Sequence, residues 1–194
     1  MNYASIKYCD IANGVGVRTT LFVSGCRRHC KECFNPEAWS LESGEPFTHE
    51  VEDQIIDSMR PSYIAGLTLL GGEPCEPENQ RGLVDFVERV RAELPAKSIW
   101  AFSGFTWPEL VGVEAPHAPY TVSPAIDVTP RLLGCLDVLV DGPFEIALKD
   151  ISLRFHGSSN QRLIDVPKTI AAGGLQTGEV VLWQDEKVFS THSM

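Results

Sequence analysis

The sequence predicts an α/β fold in which helices cover a mainly parallel β-sheet. Two observations lead to this prediction. Short apolar, β-branched runs alternate with segments whose apolar residues recur at helical spacing, and a glycine directly follows each run. Such alternation is typical of right-handed βαβ units, which build parallel sheets. A chain of 194 residues, 43% of them hydrophobic, is long enough for one domain with a substantial core.

Four strands are predicted, at residues 21–24, 67–70, 99–103 and 137–141. The segment before about residue 17 contains Asp10, Asn13, Gly14 and Gly16, which are typical of turns. We therefore predict that the chain starts with a loop that leads into the first strand.

Two long helices are predicted between these strands. The first begins after Thr48, a favourable N-cap, and Pro61 prevents its continuation. Its apolar face is formed by Val51, Ile55, Ile56 and Met59. The second helix spans residues 79–94 and is closed by Pro95. One amphipathic helix is thus predicted before the second strand along the chain, and the other after it.

The remaining segments carry weaker patterns. A short helix is predicted at residues 107–111, and the four prolines within residues 112–130 predict an irregular segment. Near the C-terminus, residues 180–183 and 187–189 are compatible with a hairpin or with a frayed tail.

All four predicted strands end at residues with potential binding chemistry. A cysteine loop follows the first strand, Gly71-Gly72-Glu73 the second, Ser103-Gly104 closes the third, and Asp141-Gly142 closes the fourth. The carboxyl ends of parallel strands lie at the same edge of a sheet, and ligands bind there. We therefore expect one site that is built from all four strand ends.

The cysteine loop, residues 24–34, contains three of the six cysteines, spaced Cys-x3-Cys-x2-Cys. Thiolates of Cys26, Cys30 and Cys33 suit three corners of a [4Fe-4S] cluster and leave one iron open, since full ligation takes four cysteines. Structural zinc is an alternative that needs a fourth ligand such as Cys9. Free thiols are another, whereas a disulfide requires an oxidising compartment that the sequence does not indicate.

Composition narrows the function classes. The chain has 16 basic and 26 acidic residues, a formal net charge of −10, which argues against general nucleic-acid binding. No apolar run is long enough to cross a membrane, and the N-terminus lacks the apolar core of a signal peptide. We expect a cytoplasmic protein, where the reducing environment suits thiolate ligands.

The sequence resembles the radical S-adenosylmethionine superfamily through its cysteine motif and Gly71-Gly72-Glu73-Pro74. Three further stretches resemble the activating proteins of anaerobic ribonucleoside-triphosphate reductases, namely residues 10–18, 139–144 and the Gly-Ser-Ser-Asn-Gln-Arg run at 157–162. The resemblance covers residues 1–167, which implies an activase domain there and an extension over 168–194. It also implies that the fold is a partial, incomplete TIM-like barrel.

The resemblance implies a reaction as well. In this superfamily the open iron binds S-adenosylmethionine, and one electron splits the sulfonium bond to give a 5′-deoxyadenosyl radical. In the activating branch, this radical removes a hydrogen from a glycine in the glycine loop of the reductase. The cofactor supplies this chemistry and the protein positions it.

The resemblance assigns roles to residues beside the three iron ligands. Glu32 and Phe34, which flank Cys33, are expected to contact the adenine. Many members carry an aromatic residue just before the third cysteine, where this chain has Glu32. The residues expected to contact the methionine moiety or the ribose are Gly71, Gly72, Glu73 and Ser103.

Partner contacts are expected at two places. Arg27, Arg28 and Lys31 lie in the cysteine loop and suit an acidic electron donor such as flavodoxin, although they could instead raise the potential of the cluster or form a solvated basic loop. Residues 157–162, together with Arg154, suit either docking of the reductase or a structural cap.

Two other functions are compatible with parts of the sequence. One is a small radical S-adenosylmethionine synthase that resembles 7-carboxy-7-deazaguanine synthase and acts on a heterocycle. The other is a non-catalytic metal-binding module.

Overall fold

The computed structural model describes residues 1–118 and 120–184. Its centre is a seven-stranded sheet with the strand order β3-β1-β2-β4-β5-β6-β7. The strands are β1 (Asn2–Asp10), β2 (Val17–Val23), β3 (Glu45–Pro46), β4 (Ile64–Gly71), β5 (Ser98–Phe102), β6 (Val138–Asp141) and β7 (Arg162–Asp165). The helices are α1 (His49–Met59), α2 (Pro77–Glu93), α3 (Trp107–Leu110), α4 (Thr129–Gly134), α5 (Val166–Ala171) and α6 (Gly174–Thr177), with 3-10 turns at Pro36–Ala38 and Ile146–Leu148.

The middle of the sheet is parallel. Strands β2, β4, β5 and β6 pair in parallel, whereas β1 and β3 on one side and β7 on the other are antiparallel. Helix α1 lies in the connection from β2 to β4, and α2 lies in the connection from β4 to β5. These four parallel strands are the four that the sequence predicts, so the α/β prediction is confirmed.

The two faces of the sheet differ in what covers them. Leu21, Leu69 and Ile99 point toward the helices and belong to the main hydrophobic core, together with Ile55 of α1 and Phe86 of α2. Side chains alternate along a strand, so the neighbours of these strand residues point to the opposite face. That inner face carries Phe22, Leu70, Trp100 and Phe102. The inner face positions the candidate site.

The N-terminal prediction was wrong in part. Residues 2–10 form β1 rather than a loop, with Ile6 opposite Leu21 and Asp10 opposite Arg18. Most of its residues are exposed or half-buried, so the strand lacks the apolar alternation that identifies a strand from sequence. Pairing with β2 stabilises it instead. The predicted turn chemistry is confirmed only for the connection between β1 and β2.

The helix predictions agree with the structure to within two residues. Thr48 is the N-cap of α1, and α2 begins at Pro77 rather than at residue 79. The short helix predicted at residues 107–111 is α3. The segment predicted to be irregular over 112–130 contains no helix or strand among its described residues up to 128, but α4, which was not predicted, begins at Thr129. Helix ends commonly shift by this much, because local pattern sets them only loosely.

Beyond residue 150 the structure adds elements that the sequence pattern does not predict. Strand β7 pairs with β6, and α5 and α6 follow it. The predicted segment near residue 182 pairs with β7, with Leu182 opposite Ile164. Its proposed hairpin partner at 187–189 lies outside the described residues. The domain division after residue 167 falls within α5 and stays a prediction.

Among the described residues, no helix combines the length and apolar character needed to span a lipid bilayer.

Candidate iron-sulfur and cofactor site

A cavity of about 520 Å³ lies at the edge of the sheet where the parallel strands end. Its walls come from the cysteine loop, from the turns after β4, β5 and β6, and from residues 142–157. Gly142 of the fourth strand end lines it, but Asp141 does not. It is also lined by the three predicted iron ligands and the predicted cofactor contacts: Cys26, Cys30, Glu32, Cys33, Phe34, Gly71, Gly72, Glu73 and Ser103. The structure therefore brings these residues together, while their individual roles stay predictions.

Backbone hydrogen bonds hold the cysteine loop against the end of β4. Cys26 N donates to Trp39 O at 2.9 Å, and Glu73 N donates to Gly25 O at 2.7 Å. A side chain at Gly72 would conflict with this packing, because a Cβ built there would lie 2.5 Å from Gly25 O. The Gly-Gly pair thus allows the second motif to approach the first closely.

The thiols lie in an environment that discourages ionisation. Burial and then the charge of Glu73 raise the pKa of Cys26 to about 12, although the backbone N–H groups of Arg28 and His29 act to lower it. Burial likewise raises the pKa of Cys30. A coordinated metal deprotonates a thiol outright, so bound iron would supply the positive charge that three thiolates need here.

The donor set fits an iron-sulfur cluster. Backbone N–H groups point at the sulfur of Cys26, and Asn35 N donates to Cys33 Sγ at 3.4 Å. Within residues 1–118 and 120–184, no three His, Cys, Asp or Glu side chains are grouped so as to hold a single metal ion. Three thiols on one loop suit a cluster, in which each sulfur binds a different iron, whereas structural zinc takes a tetrahedral shell of four ligands.

Glu73 connects the ends of β4 and β5. Its carboxylate accepts hydrogen bonds from Cys75 N at 2.9 Å, from Ser103 Oγ at 2.8 Å and from Gly104 N at 2.7 Å. The side chain is buried, and this burial raises its pKa to about 7 although the hydrogen bonds and Arg28 act to lower it. The Ser103 hydroxyl is therefore already engaged with Glu73.

The two arginines of the cysteine loop both contact other parts of the protein, but Arg28 is buried whereas Arg27 is exposed. Arg27 forms ion pairs with Glu76 at 2.6 Å and Glu78 at 2.6 Å, which attach the loop to the start of α2. Arg28 is 8% exposed, and its guanidinium lies 4.8 Å from the ring centre of Tyr120. The expectation of a docking surface was wrong for Arg28, whose side chain is buried, whereas for Arg27 and Lys31 it stays a prediction.

The cavity mouth lies beside the third cysteine. Phe34 lines the cavity although its side chain is 79% exposed, so its ring lies at the rim. Glu32 is exposed, and its φ of 58° is in the left-handed region that non-glycine residues seldom adopt. Both residues flank Cys33 at the mouth, which agrees with where the sequence analysis expects them.

Other lining residues were missed by the sequence analysis. Phe102 and Phe144 add apolar wall, and Lys149, Phe155 and His156 come from the segment before β7. Phe102 ends a predicted strand and Phe144 follows another, so the strand-end argument contained a signal for both. The other three lie in a segment with no periodic pattern, and nothing in the sequence placed them.

The stretch 157–162 is hydrogen-bonded within itself and to the end of β6. Gln161 Oε1 accepts from Gly157 N at 2.9 Å, and Asn160 Nδ2 donates to Pro143 O at 2.7 Å. Arg162 forms a bidentate pair with the buried Asp141, at 2.9 and 2.5 Å. These contacts attach the stretch to the end of β6, and both interpretations, docking of the reductase and a structural cap, stay predictions.

Comparison with known proteins gives consistent matches. A family model described as a 4Fe-4S single cluster domain matches residues 12–164. Anaerobic ribonucleoside-triphosphate reductase-activating proteins from Escherichia coli K12 and Vibrio cholerae are each 40% identical over 163 residues, which cover 83% of this chain and 96% of each relative. The protein of that name from Enterobacteria phage T4 is 35% identical over 84% of this chain and 93% of its own length.

The chain belongs to the anaerobic ribonucleoside-triphosphate reductase-activating protein family. The match to the cluster domain includes all nine residues with predicted site roles. The other cysteines lie apart from the cluster motif in sequence: Cys9 is exposed, whereas Cys75 and Cys135 are buried. Burial raises the pKa of both buried thiols, as expected for small apolar side chains in a core.

Proposed function

We propose that this chain is an iron-sulfur activating enzyme of the radical S-adenosylmethionine type. Its target is an anaerobic ribonucleoside-triphosphate reductase, on which it generates a glycyl radical. One observation carries the proposal: the three cysteines of the loop and the Gly71-Gly72-Glu73 strand end line the same cavity. The names of the relatives support the choice of reductase.

Cys26, Cys30 and Cys33 are proposed to hold one [4Fe-4S] cluster and to leave one iron free for S-adenosylmethionine. When both are bound, they supply the one-electron cleavage of the sulfonium bond that produces the 5′-deoxyadenosyl radical. Exposed carbonyls of Gly71 and Gly72 suit the ammonium of the methionine moiety as acceptors. The buried charge of Glu73 favours the same positive group.

The chain's own residues shape the reaction space. Leu70, Phe102, Phe144 and Phe155 give the cavity an apolar wall, which excludes water from a reactive species. Phe34 at the rim is proposed to cover the adenine, and Glu32 is proposed to contact it through backbone. Ser103 acts through Glu73, since its hydroxyl donates to that carboxylate.

An acidic electron donor such as flavodoxin is proposed as the source of the electron. Lys31 is an exposed cation of the cysteine loop, next to Cys30, and remains suited to a docking role. The net charge of −10 supports neither nucleic acid nor an anionic membrane as a partner. The chemistry suits the cytoplasm, where thiolates stay reduced.

We also propose that the curved sheet is a partial TIM-like barrel. The ring centres of Trp100 on β5 and Trp183, which pairs with β7, are 5.2 Å apart. Two strands lie between them, so a flat sheet would separate their backbones by about 14 Å. The close approach of the two rings supports a sheet that curves toward its inner face, as in a partial barrel.

The proposal is tested by anaerobic reconstitution. We expect about four iron and four sulfide ions per chain, as in one [4Fe-4S] cluster. The EPR signal of the reduced protein should change when S-adenosylmethionine is added, 5′-deoxyadenosine should form, and the reductase should gain a glycine-centred radical. Zinc without sulfide, or absence of 5′-deoxyadenosine, would contradict the proposal.

Three variants sharpen this test. Cys33→Ser should lower the iron content, whereas Cys9→Ser should leave it unchanged because Cys9 lies outside the cavity lining. His156 is the single imidazole among the described lining residues. If His156→Ala altered the EPR signal of the reduced cluster before S-adenosylmethionine is added, the fourth iron would be protein-bound and the open-iron proposal would fail.

A further inference from the structure

Three aromatic rings connect the C-terminal segment, residues 181–183, to the cavity. Trp100 of β5 lies with its ring centre 5.2 Å from Trp183 and 5.2 Å from Phe155, in edge-to-face geometry at 73° and 76°. Trp100 is 3% exposed, and Phe155 lines the cavity. The rings therefore form a continuous contact from the cavity wall to a residue outside the segment 12–164 that the family model matches.

The backbone of the C-terminal segment is fixed by β7 and α5. Trp183 N donates to Leu163 O at 2.8 Å, and Asp165 N donates to Val181 O at 2.9 Å. Thr169 Oγ1 accepts from Val181 N at 2.9 Å. Leu182, between these anchors, is 55% exposed. Side chains alternate along an extended segment, so Trp183 is directed inward by the same pairing that exposes Leu182.

Phe155 needs support from its neighbours. Its φ is 66°, in the left-handed region that is unfavourable for a residue with a Cβ. The ring of Trp100, which contacts the Phe155 ring edge to face, is one support. The Arg154 guanidinium, 4.5 Å from the centre of the Phe155 ring, is another. A strained residue persists where its surroundings over-determine it. The wall at Phe155 thus depends on where Trp100 lies.

We propose that Trp183 is a positioning residue for the cavity, because it holds Trp100 in the place that fixes Phe155. The inference rests on the proposed function, since it assigns this cavity to S-adenosylmethionine. It gives the C-terminal segment a role: through Trp183 and Trp100, the segment supports the wall of the cofactor cavity.

The test compares Trp183→Ala, Trp183→Phe and the matched control Leu182→Ala in the reconstituted holoenzyme. Trp183→Ala should raise the Kd and the KM for S-adenosylmethionine about three- to tenfold, the change that one edge-to-face pair represents in an equilibrium constant. The kcat for dithionite-driven cleavage should stay within about twofold, because the iron ligands are not touched. Leu182→Ala should match wild type, and Trp183→Phe should restore most of the affinity.

A double-mutant cycle identifies the route of the effect. In a Phe155→Ala background, Trp183→Ala should add little to the loss of affinity. Full additivity of the two changes would overturn the inference, as would an unchanged Kd in folded Trp183→Ala protein.

Hydrogen exchange of amides 154–157 provides a readout without S-adenosylmethionine. Trp183→Ala should accelerate it, whereas Leu182→Ala should not. If wild-type protein bound no S-adenosylmethionine, the proposed function would fail, and exchange at these amides would still decide whether Trp183 holds the wall. Unchanged exchange in Trp183→Ala would overturn the inference separately.

Discussion

Two strand ends border the same cavity, and each carries a buried carboxylate in a different setting. Asp141, at the end of β6, accepts Trp107 N at 2.7 Å and forms the bidentate pair with Arg162. Glu73, after β4, accepts three neutral donors, and among the described residues it has no cation within ion-pair distance. Both side chains are almost fully buried.

The difference indicates what each strand end does. Asp141 and Arg162 neutralise each other, and together they attach β7 and α3 to the end of β6. At Glu73 the negative charge is stabilised only by dipoles and by the more distant Arg28, and it raises the pKa of Cys26. A site that holds an uncompensated charge next to three thiols suits a cationic occupant. The Asp141–Arg162 pair, in contrast, stabilises the packing of β7 and α3 against β6.

The largest expected difference between the two ends comes from their glycines. Gly72→Ala would place a Cβ 2.5 Å from Gly25 O, a backbone atom that cannot move without displacing the cysteine loop. We expect a loss of about 3 kcal/mol or more in the free energy of unfolding and failure to bind iron. Gly142→Ala meets no atom closer than 3.7 Å, and its φ of 99° should cost about 1–2 kcal/mol with iron retained. Urea denaturation and iron analysis measure both.

Removal of the Asp141–Arg162 pair should lower the free energy of unfolding without changing iron binding. Asp141→Ala leaves the Arg162 cation and the Trp107 N–H without their acceptor, at a cost of about 3 kcal/mol, reduced from a fully buried pair because Arg162 is 37% exposed. Iron content per folded chain should remain that of wild type. Loss of iron in this variant would mean that both strand ends serve the cluster, and the proposed difference between their roles would be wrong.

The charge at Glu73 predicts a pH dependence of stability. Its pKa is higher in the folded protein than the unfolded value near 4.5, so the folded state binds this proton more tightly. The free energy of unfolding therefore falls as the pH rises from about 4.5 to about 7, by on the order of 3 kcal/mol, and this contribution is constant above that range.

Glu73→Gln removes this contribution to the pH dependence. Urea denaturation of cluster-free protein at pH 5 and pH 8 should show a smaller decrease for the variant than for wild type, since all other titrating groups are shared. Equal decreases would show that Glu73 is not the source. The same variant should weaken S-adenosylmethionine binding if the uncompensated charge favours a cation.

The smallest effect is expected at Ser103. Ser103→Ala removes one hydrogen bond to Glu73 and should lower the free energy of unfolding by about 1 kcal/mol. Because that bond favours the ionised carboxylate, its loss should raise the pKa of Glu73 further and move the pH-dependent decrease to higher pH. Thr106→Ala, at the N-cap of α3 away from Glu73, is the control for loss of a hydroxyl and should leave the pH profile unchanged.

Much of the site could be predicted because its chemistry is local in sequence. Cys26, Cys30 and Cys33 lie on one loop, and the rule that parallel strands end at one edge brings Gly71, Glu73 and Ser103 to them. The same approach failed for Arg28, because a basic residue in a loop is ordinarily solvated. Its burial depends on Tyr120, which lies in an irregular segment with no pattern to place it.

The sequence by itself determined the cysteine spacing, the four parallel strands and the glycines at their ends, since each depends on residues close along the chain. Only the tertiary structure decided which charged side chains form ion pairs with each other, such as Arg27 with Glu76 and Arg162 with Asp141, because those partners are distant in sequence. It also decided that Trp183 contacts Trp100. These two rings belong to segments far apart in sequence, and no local pattern encodes a contact between them.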